Sequence, residues 1–170
     1  MAPSLSPLPG SFGRSDLEAT GFVGWQTWGE LRANELVAVP RDPAAYVVYR
    51  TSASESDFLT VNPGGHHKGQ DPTVSVGELK ANWVSDTHVV YIGKADVATR
   101  RLKDFAAFGA GRPVGHKGGR YIWQLADSDD LLVAWHAISW EELARYYEKR
   151  LLAHFADLHN GSRPFANLTG

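Results

Sequence analysis

Two short runs of β-branched and aromatic residues set the frame of this chain: AAYVVYR at 44–50 and HVVYIG at 88–93. Both read as strands. Pro40 and Pro43 bracket a turn before the first, and residues 51–75, rich in Ser, Gly, Pro and His, form a long loop after it. The second run stops at Gly93. Lys94 follows at once, with Arg100 and Arg101 soon after. A strand that hands over to a cationic helix in this way is built to hold something anionic. Asp96 is placed to cap that helix, which is expected from Val97 to about Phe108. Its apolar stripe is Ala98, Leu102, Phe105 and Ala106, with Arg100 and Lys103 off the stripe.

The remaining elements follow from period and punctuation. LLVAWHAI (131–138) reads as a third strand. Ser139 and Glu142 have the spacing of a capping box. The stripe Trp140, Ala144, Tyr147, Leu151, Phe155, Leu158 then recurs at helical spacing, with Gly161 as C-cap. Residues 21–33 suit a short helix or an ordered arm packed through its tryptophans. VGELKANWV (76–84) suits a turn or two of helix, GAGRPVGHKGG (109–119) a flexible basic loop, and RYIWQLAD (120–127) either strand or short helix. The expected class is α/β of the α+β kind: a small three-stranded antiparallel sheet flanked by helices.

A length of 170 residues suits one domain, and 43% hydrophobic content with six Trp supplies a core. The Pro-, Ser- and Gly-rich residues 1–15 read as a mobile tail without the features of a secretory signal. No stretch approaches the roughly 18 apolar residues of a membrane span, so a cytoplasmic protein without a membrane partner is expected. Cysteine is absent, which excludes disulfides, thiolate catalysis and thiolate-bound zinc. The formal net charge of −2 argues against nucleic acid, but its distribution does not. Between Lys94 and Arg120 seven cations face only Asp96 and Asp104, a local charge of +5, and phosphate responds to the local field. Arg100, Lys103, Arg112, Lys117 and Arg120 are the candidate nucleic-acid contacts.

Taken in order, AAYVVYR, then VVYIGKADVATRRL, then a helix containing YYEKRLL, then PFANL resemble the GIY-YIG nuclease superfamily over roughly residues 43–168. The resemblance implies that fold, with an insertion at about 51–87 between the two signature strands, and a metal-dependent endonuclease acting on DNA. Tyr46 falls on the tyrosine of the first motif and Tyr91 on that of the second. Lys94 matches a lysine found in many members, and Arg101 the helix arginine. Glu148 matches the glutamate that holds one Mg²⁺ or Mn²⁺, and Asn167 the terminal asparagine. Phe105 stands where the family has Tyr or His. The group that manages the attacking water is then either Tyr46, with a pKa depressed by Lys94, Arg101 and the metal, or His116 folding back over the site.

The residue types suit that chemistry. A carboxylate and water can hold one hard divalent ion, and an arginine offers a phosphate a planar fork. His136 reads as a packed strand histidine, and His66 and His67 lack the spacing of a metal-ligand motif. The insertion is either a passive surface loop or a contact that sets sequence preference. Two other functions stay open: a catalytically silent nucleic-acid-binding module, and an RNA-directed nuclease. Monomer and homodimer both remain open.

Overall fold

The computed structural model describes residues 5–168, with the backbone alone for Lys117, Gly118 and Glu142. Four antiparallel strands form the sheet: β1 (Val23–Thr27), β2 (Ala44–Tyr49), β3 (Val89–Ala95) and β4 (Leu132–Ala137), in the order β1-β4-β2-β3. Three of these are the strands expected from the sequence. The fourth, β1, corrects the three-stranded expectation. Its alternation is hidden by a bulge between Gly24 and Gln26, where Gly24 (φ +104°) and Trp25 (φ +52°) leave the extended region. Thr27 ends β1 and opens α2 (Trp28–Ala33) with a reciprocal cap to Glu30.

The sheet is covered on both faces, and all six residues of β2 are buried. On one face lies α6 (Glu141–Leu158), packed on β3 and β2. Ala144, Tyr147, Leu151 and Phe155 of its expected stripe are buried there with Val47 and Ile92. The end members of the stripe, Trp140 and Leu158, are exposed. Helix α1 (Arg14–Ala19) joins this layer through Leu17. Of the tail expected over residues 1–15, residues 1–4 lie outside the described residues, residues 5–13 lie along α6, and Arg14 opens α1: Tyr147 Oη donates to Pro7 O at 2.8 Å and Arg150 Nη1 to Ser6 O at 2.9 Å.

The opposite face carries α2, α4 (Ala98–Gly109), α5 (Lys117–Trp123) and the insertion with α3 (Val76–Asn82). Trp28 stacks on Phe105 at 4.7 Å, and Trp123 Nε1 donates to Phe105 O at 3.0 Å. The ambiguous stretch at 120–127 thus divides into helix up to Trp123 and turn beyond it, with an isolated bridge from Leu125 to Phe58. Two expected caps do not form. Helix α4 begins at Ala98 without a side-chain cap, and its first N–H groups go to backbone carbonyls of the turn before β2, Ala98 N to Asp42 O at 3.1 Å and Thr99 N to Pro40 O at 3.0 Å. Helix α6 has Trp140 at its N-cap with no side-chain bond, so Ser139 lies one residue outside.

The insertion is built into this layer. Gln124, fully buried after α5, donates from Nε2 to Leu59 O (2.8 Å) and Val74 O (2.6 Å), and its Oε1 accepts from Val74 N at 2.9 Å. Arg50 Nε meets Asp127 Oδ2 at 2.7 Å. A Cβ on Gly65 would strike the Arg112 carbonyl, so only glycine lets the insertion close on the 109–115 segment. A short linker in place of residues 54–80 would therefore remove Val74 and Leu79 from the core and strip Gln124 of its partners Leu59 and Val74.

Candidate active site

The site gathers around the free edge of β3. Strand β3 pairs on one side only, with β2, so alternate residues turn their backbone groups outward. Val90 O accepts from Ala166 N at 2.9 Å. Ile92 is clamped at both groups by the Asn167 carboxamide, its N–H donating to Oδ1 at 2.9 Å and its carbonyl accepting from Nδ2 at 2.7 Å. Asn167 is thus committed to the strand edge and acts as a positioning residue, not as a group free for chemistry. The next outward residue is Lys94. Its backbone N–H and its ammonium both favour the ionised form of Glu148, which reaches the edge from α6.

Arg101 comes to the same place from α4, on the opposite face of the sheet. It takes part in none of the ion pairs among the described residues. Yet its charge bears on Tyr46, Tyr91, His116 and Glu148 alike. Lys94, by contrast, is held to Asp96 at 3.1 Å, the pairing that takes Asp96 away from the expected cap.

The two tyrosines are neighbours, ring centroids 5.9 Å apart. Tyr46 pairs in register with Gly93, and a Cβ there would lie 2.5 Å from Tyr46 Cζ. The glycine of the second motif is therefore the space into which the first tyrosine fits. The Tyr46 hydroxyl is enclosed and has no hydrogen-bond partner, although Tyr91 and Arg101 are close enough to affect its titration. Burial, then the neighbouring Tyr91, pushes Tyr46 well above the usual phenol value; burial also raises Tyr91. This corrects the expectation of a depressed Tyr46: burial outweighs the arginine, and both phenols are held protonated.

His116 is also placed differently from expectation. It is 4% exposed, packed against Phe105 with centroids 4.0 Å apart and the rings tilted by 56°, and forms the N-cap of α5. Nδ1 accepts from Gly119 N at 3.0 Å, and Nε2 is enclosed without a partner. Burial, with the Arg101 charge behind it, lowers its pKa to about 3. The ring is neutral and its one lone pair is used, so Nε2 carries the proton. As a neutral N–H donor, His116 does not suit the role of managing the attacking water, for which it was one of two alternatives with Tyr46.

Glu148 is half-buried, and desolvation raises it above the ordinary carboxylate value despite Lys94, Lys149 and Arg101. No group of three or more His, Asp or Glu able to hold a metal occurs among the described residues.

The chain matches no family model, no curated protein and no solved structure.

Of the cationic candidates, Arg100, Lys103 and Arg112 are exposed. The Lys117 side chain lies outside the described residues. Arg120 Nε donates to Pro72 O at 3.2 Å and so leans on the insertion. A cleft of about 550 Å³ opens beside Arg101, with His116 and Arg120 on one side and His67, Gln70 and Asp71 of the insertion on the other. The two insertion residues Gln70 and Asp71 were not singled out from the sequence, because nothing in the local spacing links them to α4. No described helix is long and apolar enough to cross a membrane.

Proposed function

We propose that this protein is a metal-dependent endonuclease of the GIY-YIG kind, hydrolysing phosphodiester bonds in DNA. The observation that carries the reading is Arg101, an arginine without an ion pair among the described residues whose charge acts on two enclosed phenols, an imidazole and a carboxylate. A guanidinium left unneutralised among such groups suits an anion that arrives from outside, and its fork suits a phosphate.

The residues fit one hard divalent ion on Glu148. A single carboxylate with water and phosphate oxygens is a normal Mg²⁺ or Mn²⁺ arrangement, and it needs no cluster of acidic side chains. When bound, such an ion would acidify a water and offset charge on the phosphate. Arg101 takes two non-bridging oxygens. Lys94, steadied by Asp96, adds a second positive charge at the strand edge. Protonated Tyr46 and Tyr91 orient the water through their hydroxyls, and neutral His116 supplies an N–H to the same enclosure. Asn167 keeps β3 in register with Glu148.

Plasmid and labelled-oligonucleotide cleavage tests the reading, comparing the wild type with Glu148→Ala in Mg²⁺ or Mn²⁺. The wild type should cleave DNA, and the variant should lose roughly a thousandfold or more in rate. Equal cleavage by both proteins would overturn it. One observation favours a second reading, a binding module without catalysis: neither Tyr46 nor His116 is poised as a base. Tight DNA binding with no cleavage of single strands, duplex or RNA by either protein would select that reading.

A further inference from the structure

Three concavities on the described surface share arginines. Lys94, Arg100 and Arg101 line one of about 360 Å³, together with Asp96 and Asp104. Arg101 also lines the 550 Å³ cleft, at whose far side stands Arg120. Arg120 in turn lines a third hollow, of about 600 Å³, between α3 and the C-terminal segment, with Trp83, Tyr121, Arg163 and Phe165. Each volume suits one small organic ligand. Arg101 and Arg120 therefore stand at the two junctions of the series.

We propose that the three concavities form one track for an unpaired DNA strand. The scissile phosphate lies at Arg101, and the strand continues past Arg120 to a distal site formed by Arg163 and Trp83. This extends the nuclease reading and rests on it for the position of the scissile phosphate. The chemistry changes along the track as a single strand requires. The first two hollows carry Lys94, Arg100, Arg101 and Arg120 among acidic, polar and apolar lining. The third adds aromatic faces on which bases stack without regard to sequence, about 1–3 kcal/mol per base in such proteins. Trp83 is half-buried, held by Phe165 at 5.1 Å and by the Arg50 guanidinium at 5.5 Å, so its ring is fixed before any strand arrives. Arg163 is exposed and, among the described residues, tied only by a 3.5 Å contact to Leu168 O.

The charge along the track also indicates how the strand is held. Lys94, Arg100, Arg101, Arg120 and Arg163 face Asp96, Asp104, Asp71 and Glu78, a net of +1. Such a balance suits a few directed phosphate contacts plus stacking, not a broad electrostatic surface. With three arginines on phosphates, the logarithmic salt slope for a single strand should be about −2.

The test uses the full chain in EDTA, so that nothing is cut, with fluorescein-labelled single strands of 3 and 12 nucleotides and a 12-base-pair duplex. Arg163→Gln should weaken binding of the 12-mer about fivefold and reduce the salt slope by about 0.7. A trinucleotide seated in the hollows that Arg101 lines should bind the variant and the wild type alike. Arg163→Lys should restore most of the loss. An Arg163→Gln protein that binds the 12-mer as the wild type does, or a duplex that binds tighter than the single strand, would overturn the track. Cleavage is read separately with Mg²⁺: a wild type that never cuts removes the nuclease reading, while a length-dependent Arg163 effect still supports the track.

Discussion

The two faces of the sheet bury polar side chains in opposite ways. Under the sheet, two inward polar groups of α6 find partners on the N-terminal segment. Tyr147 donates to Pro7 O at 2.8 Å, and His154 Nε2 meets Pro9 O at 2.7 Å. His136 of β4 is held between Gly21 O at 3.1 Å and Ser6 Oγ at 3.0 Å. Above the sheet, the Tyr46 hydroxyl and His116 Nε2 are enclosed with no partner, as are Trp28 Nε1 and Arg32 Nε. An unsatisfied buried group costs about 1–3 kcal/mol. The lower face thus spends residues 5–13 on satisfying its polar groups, whereas the upper face carries that cost where Arg101 has no ion pair. Such local inconsistency is what a functional site produces.

The contrast is sharpest at the arginines, where the largest effect is expected. Arg101→Ala should lower turnover roughly 10²–10³-fold, the usual loss for one donor aimed at developing charge. Arg100→Ala, one position along α4 and exposed, should mainly weaken DNA binding and its salt dependence. The reverse pattern in steady-state kinetics would mean that Arg101 is the surface cation.

Next in size is the acid sensitivity of the upper face. The folded protein binds a proton on His116 only near pH 3, whereas the unfolded chain binds it near 6.5. The unfolded state therefore holds the extra proton between those values. Stability is full above about pH 6.5 and falls as pH drops toward 3, by up to about 1.4 kcal/mol per pH unit. His116→Asn, which keeps an acceptor at the cap of α5, should flatten that slope in urea titrations at stepped pH. An unchanged slope would place the acid-sensitive group elsewhere.

The smallest effects separate the two faces directly. Tyr147→Phe removes a satisfied hydroxyl and should destabilise by about 1 kcal/mol, leaving the Pro7 carbonyl without its donor. Tyr46→Phe removes an unsatisfied one and should be neutral or stabilising, while cleavage falls. Equal destabilisation by both, measured by denaturant midpoint, would erase the distinction between the faces.

Much of this arrangement was legible in the sequence. β2, β3 and β4 were visible because their residues leave no helical alternative, and α6 because its stripe runs through Ala144, Tyr147, Leu151 and Phe155. Tyr46, Tyr91, Arg101 and Glu148 were singled out by the resemblance their order and spacing carry, and the fold brings them close enough for the Arg101 charge to act on the other three. Strand β1 was missed because a bulge at Trp25 breaks its period. The pKa directions of Tyr46 and His116 were missed for a different reason. Burial is a property of the packed whole, and no local pattern announces that Phe105 and α5 will close over His116. The role of the insertion was hidden likewise, since its partner Gln124 lies some fifty residues away.

The Asn167 carboxamide has a consequence for the protein in concentrated solution. It gives Ile92 the two hydrogen bonds that a neighbouring strand would give, so this part of β3 cannot template pairing with a second chain. The other border strand, β1, is bent out of register by Gly24 and Trp25. A sheet with one rim occupied by its own terminus and the other kinked resists edge-to-edge aggregation. Asn167→Ala should then show itself first as turbidity on standing, before any loss of helical signal.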